Sequence, residues 1–450
     1  MLPDLMPASL AIPVVTSPVI GSIRPPGSKS ITNRAFVCAA LAHGPSTLTG
    51  VLDSEDTRVM AAGLATLGAT VEPDWGGGVV HITGMGGTIP VAEATIDCAA
   101  SGTTMRFLSA VCGLGHGTYR LDGTPRMRQR PIGDLLEALR ELGIDASAES
   151  PGDCPPVVIH STGIQGGRAR VRGGTSSQFA SGLALAAACM PRGLELDFEG
   201  RLVSLPYLEM TRRVIEAFGG RCIPDGDRHW QIPPDGYTGR VYAIEPDASA
   251  ASYFTAAAAI TGGRVRIEGL GRDSLQGDVA FCEALGQMGC EIVWESDSVT
   301  VSGRASRGID IDMNAISDTV PTLAVVALFA EGPTSIRNVA HVRDKETDRI
   351  GDLVRELRHL GAEVEERQDG LTVWPKGTGE LRPARLATYD DHRMAMSLAL
   401  AGIRVAGVEI EDPACVGKTF PDYWKRLSDL AGFGPGFPAP GLDGGSLATS

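Results

Sequence analysis

A recurring junction of a helix, a glycine and a short strand constrains the fold of this 450-residue chain more than any other feature. In each copy an amphipathic helical segment ends at a glycine, and an extended segment follows. The six glycines are Gly68, Gly143, Gly219, Gly289, Gly361 and Gly432, and they are 75, 76, 70, 72 and 71 residues apart. Glycine suits this place because the residue after a helix often needs the left-handed conformation. The near-constant spacing predicts six units of one fold, with the sixth copy the weakest.

Units of about 70 residues are too large for a simple solenoid, and they suit a small βαβ-type unit with extra strands. Six such units in one chain predict two domains of three units each. The seam lies near Pro246, because an alanine-rich helical run begins at Ala248. The chain is therefore an α/β protein in which several helix starts can converge on one place.

Composition excludes several classes of protein. A formal net charge of −14 argues against a general nucleic-acid binder, although it leaves room for a local basic cleft. The nine cysteines are scattered without a C-x-x-C pair, which favours neither a zinc site nor a disulfide framework. The first twelve residues contain no basic residue, so a secretory signal is not expected, and the apolar runs are too short to span a bilayer. A cytoplasmic enzyme or binding protein is predicted.

Residues 25–34 predict an anion-binding helix start. Small hydroxyl residues surround Lys29 where a helical pattern begins, and a helix N-terminus favours phosphate. Arg34 adds a second cation. The segment is not a Walker loop, because Ser28 separates Gly27 from Lys29. An ordinary helix cap with surface basic residues is the alternative.

Further predicted helix starts carry cations or hydroxyl groups, and they lie at 101–106, 176–178, 344–349, 391–393 and 417–422. Residues 344–349 are predicted to open a helix that runs to Leu360. Three alternating arginines at 126–130 would share one side of an extended chain. Asp318, before an apolar helix, is a cap or a base. Capped or salt-bridged first turns and a solvated basic loop are the ordinary alternatives, but the whole set favours a site for a small polyanion with acids nearby.

Taken together, these motifs resemble the 5-enolpyruvylshikimate-3-phosphate synthase family of enolpyruvyl transferases. The resemblance covers about 20–427. The matching motifs lie at 26–30, 33–34, 102–106, 130–133, 176–178, 202–207, 345–349, 391–394 and 418–423. The resemblance implies a two-domain inside-out α/β barrel, each domain built of three βαβαββ-type units. It places the first domain at 28–246 and the second at 12–27 plus 247–432, with hinges near Gly27 and Asp247. Residues 433–450, which are rich in Gly, Pro and Ser, are predicted to be a disordered tail.

The resemblance also implies a reaction. The enolpyruvyl group of phosphoenolpyruvate passes to the 5-hydroxyl of shikimate 3-phosphate, and phosphate leaves, by addition and elimination through a tetrahedral intermediate. Asp318 is the implied base, Glu346 the implied acid, and Lys29 the lysine that bridges both substrates. The implied residues for shikimate 3-phosphate are Lys29, Ser30, Arg34, Ser176, Ser177, Gln178, Ser204, Asp318, His341 and Lys345. Those for phosphoenolpyruvate are Lys29, Gly102, Arg130, Gln178, Arg349, Arg393 and Lys418.

No metal or organic cofactor is implied, and the partners are the two small-molecule substrates rather than nucleic acid or membrane. We expect a monomer. Three departures from the family pattern bear on the phosphoenolpyruvate pocket and on sensitivity to glyphosate-type inhibitors. Ala100 and His341 replace asparagines, and Phe107 replaces a proline.

Two alternatives remain. The related transferase that acts on UDP-N-acetylglucosamine typically carries a reactive cysteine in the loop matching 126–130, where this chain has none. Its motif begins with Lys-Asn, where this chain has Lys29 and Ser30. A catalytically inactive phospho-ligand binding protein is the second alternative, but binding alone would not need both Asp318 and Glu346.

Overall fold

A computed structural model of the chain describes residues 7–174, 176–200, 202–226, 228–377 and 379–438. The chain divides into two compact units, one of residues 27–245 and one of residues 1–26 with 246–450. Both divisions fall one residue before the positions expected from the sequence. No helix in the described part of the chain combines the length and the apolarity needed to cross a membrane.

Twelve α-helices lie within the described residues. They are α1 (Lys29–Leu41), α2 (Glu55–Thr66), α3 (Gly102–Cys112), α4 (Gly133–Glu141), α5 (Ser177–Ala187), α6 (Leu205–Ala217), α7 (Ala248–Thr261), α8 (Phe281–Gln287), α9 (Val320–Ala327), α10 (Gly351–His359), α11 (His392–Gly402) and α12 (Tyr423–Ala431).

The same residues contain 23 strands. They are β1 (Ser9–Ala11), β2 (Ile20–Ile23), β3 (Pro45–Thr49), β4 (Thr70–Asp74), β5 (Val79–Thr83), β6 (Glu93–Asp97), β7 (His116–Asp122), β8 (Asp145–Ser150), β9 (Cys154–Thr162), β10 (Gly167–Arg172), β11 (Leu194–Glu199), β12 (Ile223–Pro224), β13 (His229–Ile232), β14 (Val241–Ala243), β15 (Arg264–Glu268), β16 (Glu291–Trp294), β17 (Ser298–Ser302), β18 (Asp310–Asp312), β19 (Thr334–Arg337), β20 (Glu363–Arg367), β21 (Gly370–Trp374), β22 (Ala384–Leu386) and β23 (Val408–Glu411).

The repeated unit is a βαβαββ fold. In the unit that begins at β6, α3 joins β6 to the parallel strand β7, and α4 leads to the antiparallel hairpin of β8 and β9. The sheet order is β6-β7-β9-β8, and β10-β11-β13-β12 repeats it. A helix is needed between the first two strands because parallel neighbours require a crossover connection. The sequence prediction of βαβαββ units is confirmed.

Distant segments of chain complete the units at the ends of each compact unit. Strand β14 pairs in parallel with β3, and β2 pairs in parallel with β15. The final unit has no closing hairpin within the described residues, and β1 pairs antiparallel with β23 instead. The sixth sequence copy is weak because another part of the chain supplies its antiparallel strand.

The six repeat glycines confirm the reason given for their spacing. Each has a positive φ, between 70° and 112°, one or two residues after the end of its helix. Five of them precede the outer strand of a four-stranded sheet, so the left-handed turn aims the chain from the helix into the hairpin.

Helices occupy the core of each compact unit. In the unit of residues 27–245 the buried helices α1, α3 and α5 pack on one another, and α7, α9 and α11 do so in the other unit. Within β7, for example, the buried Tyr119 and Leu121 flank the half-buried Arg120, as expected for a strand that has one face on the helices. This helix-centred arrangement, with the sheets outside, is the inside-out barrel expected from the sequence. It places the starts of the central helices where their N–H groups can face a ligand.

Two local predictions are wrong. Residues 345–350 are not helical, because the Asp348 carboxylate accepts the N–H groups of Ile350 (3.1 Å) and Gly351 (3.0 Å) and starts α10 there. The arginines at 126–130 do not share one side of an extended strand, because Met127–Gln129 form a 3₁₀ turn that points them apart.

The predicted tail is only partly described. Phe433 donates its N–H to the Ser428 carbonyl, and its ring contacts Phe437 at 4.8 Å between centroids. Residues 433–438 therefore continue the packing of α12. The rest of the predicted tail, 439–450, lies outside the described residues.

Candidate active site

Helix α1 presents a lysine at its first residue. Ser28 is the N-cap, as its side chain accepts the N–H of Ile31, so the predicted helix start is confirmed. The Lys29 ammonium lies 3.2 Å from Oδ2 of Asp56, and the two side chains are 14% and 3% exposed. Sequence reasoning missed Asp56. It stands in the first turn of α2, where an acid is an ordinary complement to the helix dipole and gives no sign of a partner.

Arg34 anchors the same helix from within the core. Its guanidinium donates to Thr211 Oγ1 (2.7 Å), Ser181 Oγ (3.4 Å) and the carbonyls of Ser30 (2.8 Å) and Tyr207 (3.2 Å). Burial lowers the pKa of Arg34 to about 10, which leaves it cationic at neutral pH. Its contacts fix the backbone of Ser30, and binding of a substrate by Arg34 itself stays a prediction.

The guanidinium of Arg34 also packs against Phe107, 5.3 Å from the ring centroid. Phe107, the phenylalanine that departs from the family pattern, is fully buried in α3, and its ring packs against the predicted site residue Arg34.

The starts of α3 and α5 are joined by polar side chains. Gln178 accepts from Arg106 (2.7 Å) and donates to Thr103 (3.2 Å). Ser176 caps α5, because its hydroxyl accepts the N–H of Gln178 at 3.3 Å. Ser177, the first residue of α5, is half-buried beside them. The ordinary capping role predicted for Ser176 is confirmed, and its position at a helix start remains compatible with phosphate binding.

Gly102, at the start of α3, is enclosed by two guanidinium groups. A Cβ atom added there would lie 2.6 Å from an Arg106 nitrogen and 2.9 Å from both terminal nitrogens of Arg130. Arg106 and Arg130 are each 5% exposed. The absence of a side chain at Gly102 is what lets both cations approach the helix start. Arg106 was read from the sequence only as part of a motif.

Ser204 stands at another helix start in this unit. It is the N-cap of α6, is 5% exposed and has a left-handed backbone with φ of 55°. Non-glycine residues rarely adopt this backbone conformation, and those that do are often found at functional sites. Lys29, Arg34, Arg106 and Arg130 against the one carboxylate of Asp56 give the site residues of this unit a formal charge of +3.

The other compact unit carries a network of cations and acids centred on Arg349. Its guanidinium contacts Asp391 (2.7 Å), Glu346 (2.7 Å) and Asp318 (3.2 Å). Arg349 is 1% exposed. Burial acts to lower the pKa of Arg349, but the carboxylates of Asp391, Glu346 and Asp318 outweigh it, so the pKa is raised above the ordinary value.

Three further cations touch the two predicted catalytic acids. Arg393 donates to Asp318 Oδ2 at 2.8 Å, and the Lys345 ammonium lies 4.0 Å from Asp318 Oδ1. Lys418 donates to Glu346 Oε1 at 3.1 Å. Asp318 thus lies among Lys345, Arg349 and Arg393, and Glu346 lies between Arg349 and Lys418. Four cations and three carboxylates, with Asp391 included, leave a formal charge of +1.

Asp391 organises this network without being predicted as a site residue. It is fully buried, caps α11 by accepting the N–H of Arg393 (2.8 Å), and accepts from two nitrogens of Arg349. A sequence shows an N-cap acid, but its reach to Arg349, 42 residues earlier, depends on the packing of the unit.

His341 lies beside this network and is neutral. Burial and, to a lesser extent, the nearby Lys345 lower the pKa of His341 to about 4, against a smaller opposing effect of Asp318. A neutral imidazole can donate one hydrogen bond and accept another, so it suits a hydroxyl group better than a phosphate.

The structure therefore brings the predicted residues together in two sets. Asp318, Lys345, Glu346, Arg349, Arg393 and Lys418 form one network in the unit that ends the chain, with His341 beside it. Lys29, Ser30, Arg34, Gly102, Arg130, Ser176, Ser177, Gln178 and Ser204 belong to the other unit and stand at or beside its helix starts. Within the described residues, no group of three His, Cys, Asp or Glu side chains could hold a metal ion.

Comparisons with known proteins identify one family over most of the chain. The sequence model of the family described as EPSP synthase (3-phosphoshikimate 1-carboxyvinyltransferase) matches residues 15–427. A curated 3-phosphoshikimate 1-carboxyvinyltransferase of Nostoc punctiforme is 46% identical, over 94% of this chain and 99% of the relative. One of Thiobacillus denitrificans is 45% identical, over 91% and 97%. A solved EPSP synthase of Acinetobacter baumannii superposes with a TM-score of 0.77 at 25% identity, over 94% of this chain and 98% of that one.

Proposed function

The chain belongs to the EPSP synthase (3-phosphoshikimate 1-carboxyvinyltransferase) family, and we propose that it transfers the enolpyruvyl group of phosphoenolpyruvate to the 5-hydroxyl of shikimate 3-phosphate and releases phosphate. This is a step of the shikimate pathway to chorismate and the aromatic amino acids. The observation that carries the proposal is the network in which Asp318 and Glu346 lie among four cations.

The chemistry needs both acids. In the addition step a base takes the proton of the attacking hydroxyl while an acid gives a proton to the methylene carbon of phosphoenolpyruvate. In the elimination step a proton leaves the resulting methyl group, and the phosphate departs from the tetrahedral intermediate. We assign Asp318 as the base and Glu346 as the acid, since each is held at hydrogen-bond distance by arginine or lysine.

Phosphoenolpyruvate carries a carboxylate and a phosphate, and both suit the cation-rich network. We assign its binding to Arg349, Arg393 and Lys418 in one unit and to Arg130, Gln178 and the Gly102 backbone in the other. The planar guanidinium of arginine meets two oxygens of a carboxylate or phosphate at once. The side-chain-free surface of Gly102 keeps Arg130 close to the start of α3.

Shikimate 3-phosphate combines a phosphate with ring hydroxyl groups. We assign its phosphate to the hydroxyls at the starts of α5 and α6, contributed by Ser176, Ser177 and Ser204. The remaining contacts are assigned to Lys29, Ser30, Arg34, Gln178, Asp318, His341 and Lys345.

Lys29 is assigned to both substrates and to stabilisation of charge in the transition state. Because the residues that we assign to the reaction come from both compact units, we propose that the chain crossings near Gly27 and Asp247 act as hinges. We also propose that the enzyme works as a monomer in the cytoplasm. Light scattering of the purified protein tests the oligomeric state.

A phosphate-release assay tests the proposal. The chain should release phosphate only when shikimate 3-phosphate and phosphoenolpyruvate are both present, and each substrate alone is the control. Release with UDP-N-acetylglucosamine in place of shikimate 3-phosphate would favour the related transferase. Binding of both substrates without release would favour an inactive binding protein.

A further inference from the structure

Two successive non-glycine residues, Tyr389 and Asp390, adopt the left-handed backbone conformation just before Asp391. Tyr389 has φ of 56° and Asp390 has φ of 57°. Non-glycine residues seldom adopt this backbone conformation, and two in a row need stabilising contacts from the surrounding structure. The turn leads directly into the residue that caps α11 and binds Arg349.

Glu356, on α10, holds this turn from the interior. It is 1% exposed, and its Oε1 accepts the Tyr389 hydroxyl at 2.5 Å while its Oε2 accepts the N–H of Ala387 at 3.0 Å. His359 contacts the same carboxylate at 3.3 Å. A buried carboxylate is stable only when such partners surround it, so Glu356 and the turn fix each other.

Arg355 closes the contact from the solvent side. It donates to the Tyr389 hydroxyl at 3.0 Å and packs over the Tyr389 ring, 5.6 Å from its centroid. Asp352 in turn accepts from Arg355 at 2.6 Å. The hydroxyl of Tyr389 therefore has a donor and an acceptor, and its position is determined from both sides.

The contact between Glu356 and Tyr389 joins the two segments that carry Arg349 and Arg393, which we assign to phosphoenolpyruvate. Helix α10 begins two residues after Arg349, and the turn ends one residue before Asp391, two before His392 and three before Arg393. Arg349 and Asp391 meet through two hydrogen bonds of 2.7 and 3.2 Å. A shift of the turn would move Asp391, and with it both arginines.

We propose that Glu356 and Tyr389 are positioning residues that hold the 389–390 turn so that Asp391 aligns Arg349 and Arg393 for phosphoenolpyruvate. The inference rests on the proposed function for its substrate, whereas its structural part concerns only the turn and the Arg349–Asp391 pair. Neither side chain touches substrate in this scheme.

Tyr389→Phe tests the proposal, because it removes the hydroxyl and keeps the ring against Arg355. The KM for phosphoenolpyruvate should rise about ten-fold, the effect of one lost hydrogen bond to a charged group. The KM for shikimate 3-phosphate should change less than about two-fold. Glu356→Gln, which removes the charge at nearly constant volume, should act in the same direction.

Tyr119→Phe is the matched control. Its hydroxyl donates to the Val91 carbonyl at 2.7 Å in the other compact unit, far in sequence from the turn. It should lower the melting temperature and leave both KM values unchanged, which separates a general loss of stability from misplacement of the cations.

A crystal structure of Tyr389→Phe gives a readout that does not depend on turnover. The turn should relax, and the Arg349–Asp391 bonds should lengthen beyond hydrogen-bond distance. An unshifted turn, or a wild-type KM for phosphoenolpyruvate in both variants, would overturn the inference. A wild-type chain that releases no phosphate would instead refute the proposed function, and the crystal structure would still decide the role of the turn.

Discussion

Gly102→Ala should weaken phosphoenolpyruvate binding through steric displacement of two arginines. The added methyl would lie 2.6 Å from Arg106 and 2.9 Å from Arg130, closer than carbon approaches nitrogen in folded proteins. The backbone at Gly102 is not left-handed, so the effect comes from space rather than from strain. Arg106 is held by Gln178 at 2.7 Å, and Arg130 is 5% exposed, so neither can move away without losing contacts.

The magnitude follows from the contact that must yield. Loss of one hydrogen bond from a charged donor to the substrate costs about 1.5–3 kcal/mol. That range corresponds to roughly a 10- to 150-fold rise in the KM for phosphoenolpyruvate. The KM for shikimate 3-phosphate should change less, because its assigned phosphate contacts lie at the starts of α5 and α6.

Steady-state kinetics with each substrate varied in turn measures both constants. Gly379→Ala is the control, since a methyl there would meet nothing within 4 Å and the backbone is not left-handed. An unchanged KM for phosphoenolpyruvate in Gly102→Ala would contradict the assignment of Arg130 and the Gly102 backbone to this substrate.

Three further variants test single residues. Asp56→Asn should lower kcat about ten-fold or more, because Lys29 loses the carboxylate that lies 3.2 Å from its ammonium, and a hydrogen bond between charged groups contributes about that much. Asp53→Asn is the control: it breaks the more exposed ion pair of Asp53 with Arg58 and should leave steady-state kinetics unchanged. Glu346→Gln should slow turnover at least about hundred-fold, as expected for loss of a general acid, while equilibrium binding of phosphoenolpyruvate is kept or tightened. His341→Asn should reduce the loss of stability between pH 6.5 and 4, measured by urea unfolding. The pKa of His341 is about 4 in the folded protein and lies below its value in the unfolded chain. As the pH falls from 6.5 to 4, the unfolded chain therefore binds a proton that the folded protein does not, and the free energy of unfolding decreases by at most about 3 kcal/mol.

The repeat could be read from the sequence because it depends on local rules. A helix that ends in a left-handed residue needs glycine, and the six glycines with positive φ follow from this requirement. The helix starts at Lys29 and Gly102 were predictable for the same reason, since Ser28 and Ser101 are ordinary N-caps.

The errors arose where a side chain competes with the backbone. Helix α10 begins at Gly351, seven residues after Asp344, where charge patterning placed the helix start, because the Asp348 carboxylate binds two N–H groups locally. Alternation of three arginines predicted a common side only for an extended chain, and a 3₁₀ turn separates Arg128, paired with Asp122, from the buried Arg130.

Partners distant in sequence could not be predicted at all. Nothing in a single sequence connects Asp391 with Arg349, or Glu356 with Tyr389, because these contacts depend on how α10 and α11 pack within their unit. Asp56 shows the same limit on a smaller scale. Its place in the first turn of α2 is explained equally well by the helix dipole, and only the fold brings it to Lys29.

The distribution of acids favours transfer over binding as the function. A protein that only captured polyanions would gain from cations alone. The site residues of the unit 27–245 come near to this, because four cations there face one carboxylate, that of Asp56, and give a formal charge of +3. In the other unit Asp318 and Glu346 each occupy two or more cations and reduce the attraction for phosphate. Their presence weakens binding, and it is explained if one must accept and the other donate a proton beside the reacting carbons. The same reasoning accounts for the expected behaviour of Glu346→Gln, in which slower turnover accompanies undiminished affinity; a variant that lost affinity and kept turnover would return Glu346 to a purely structural role.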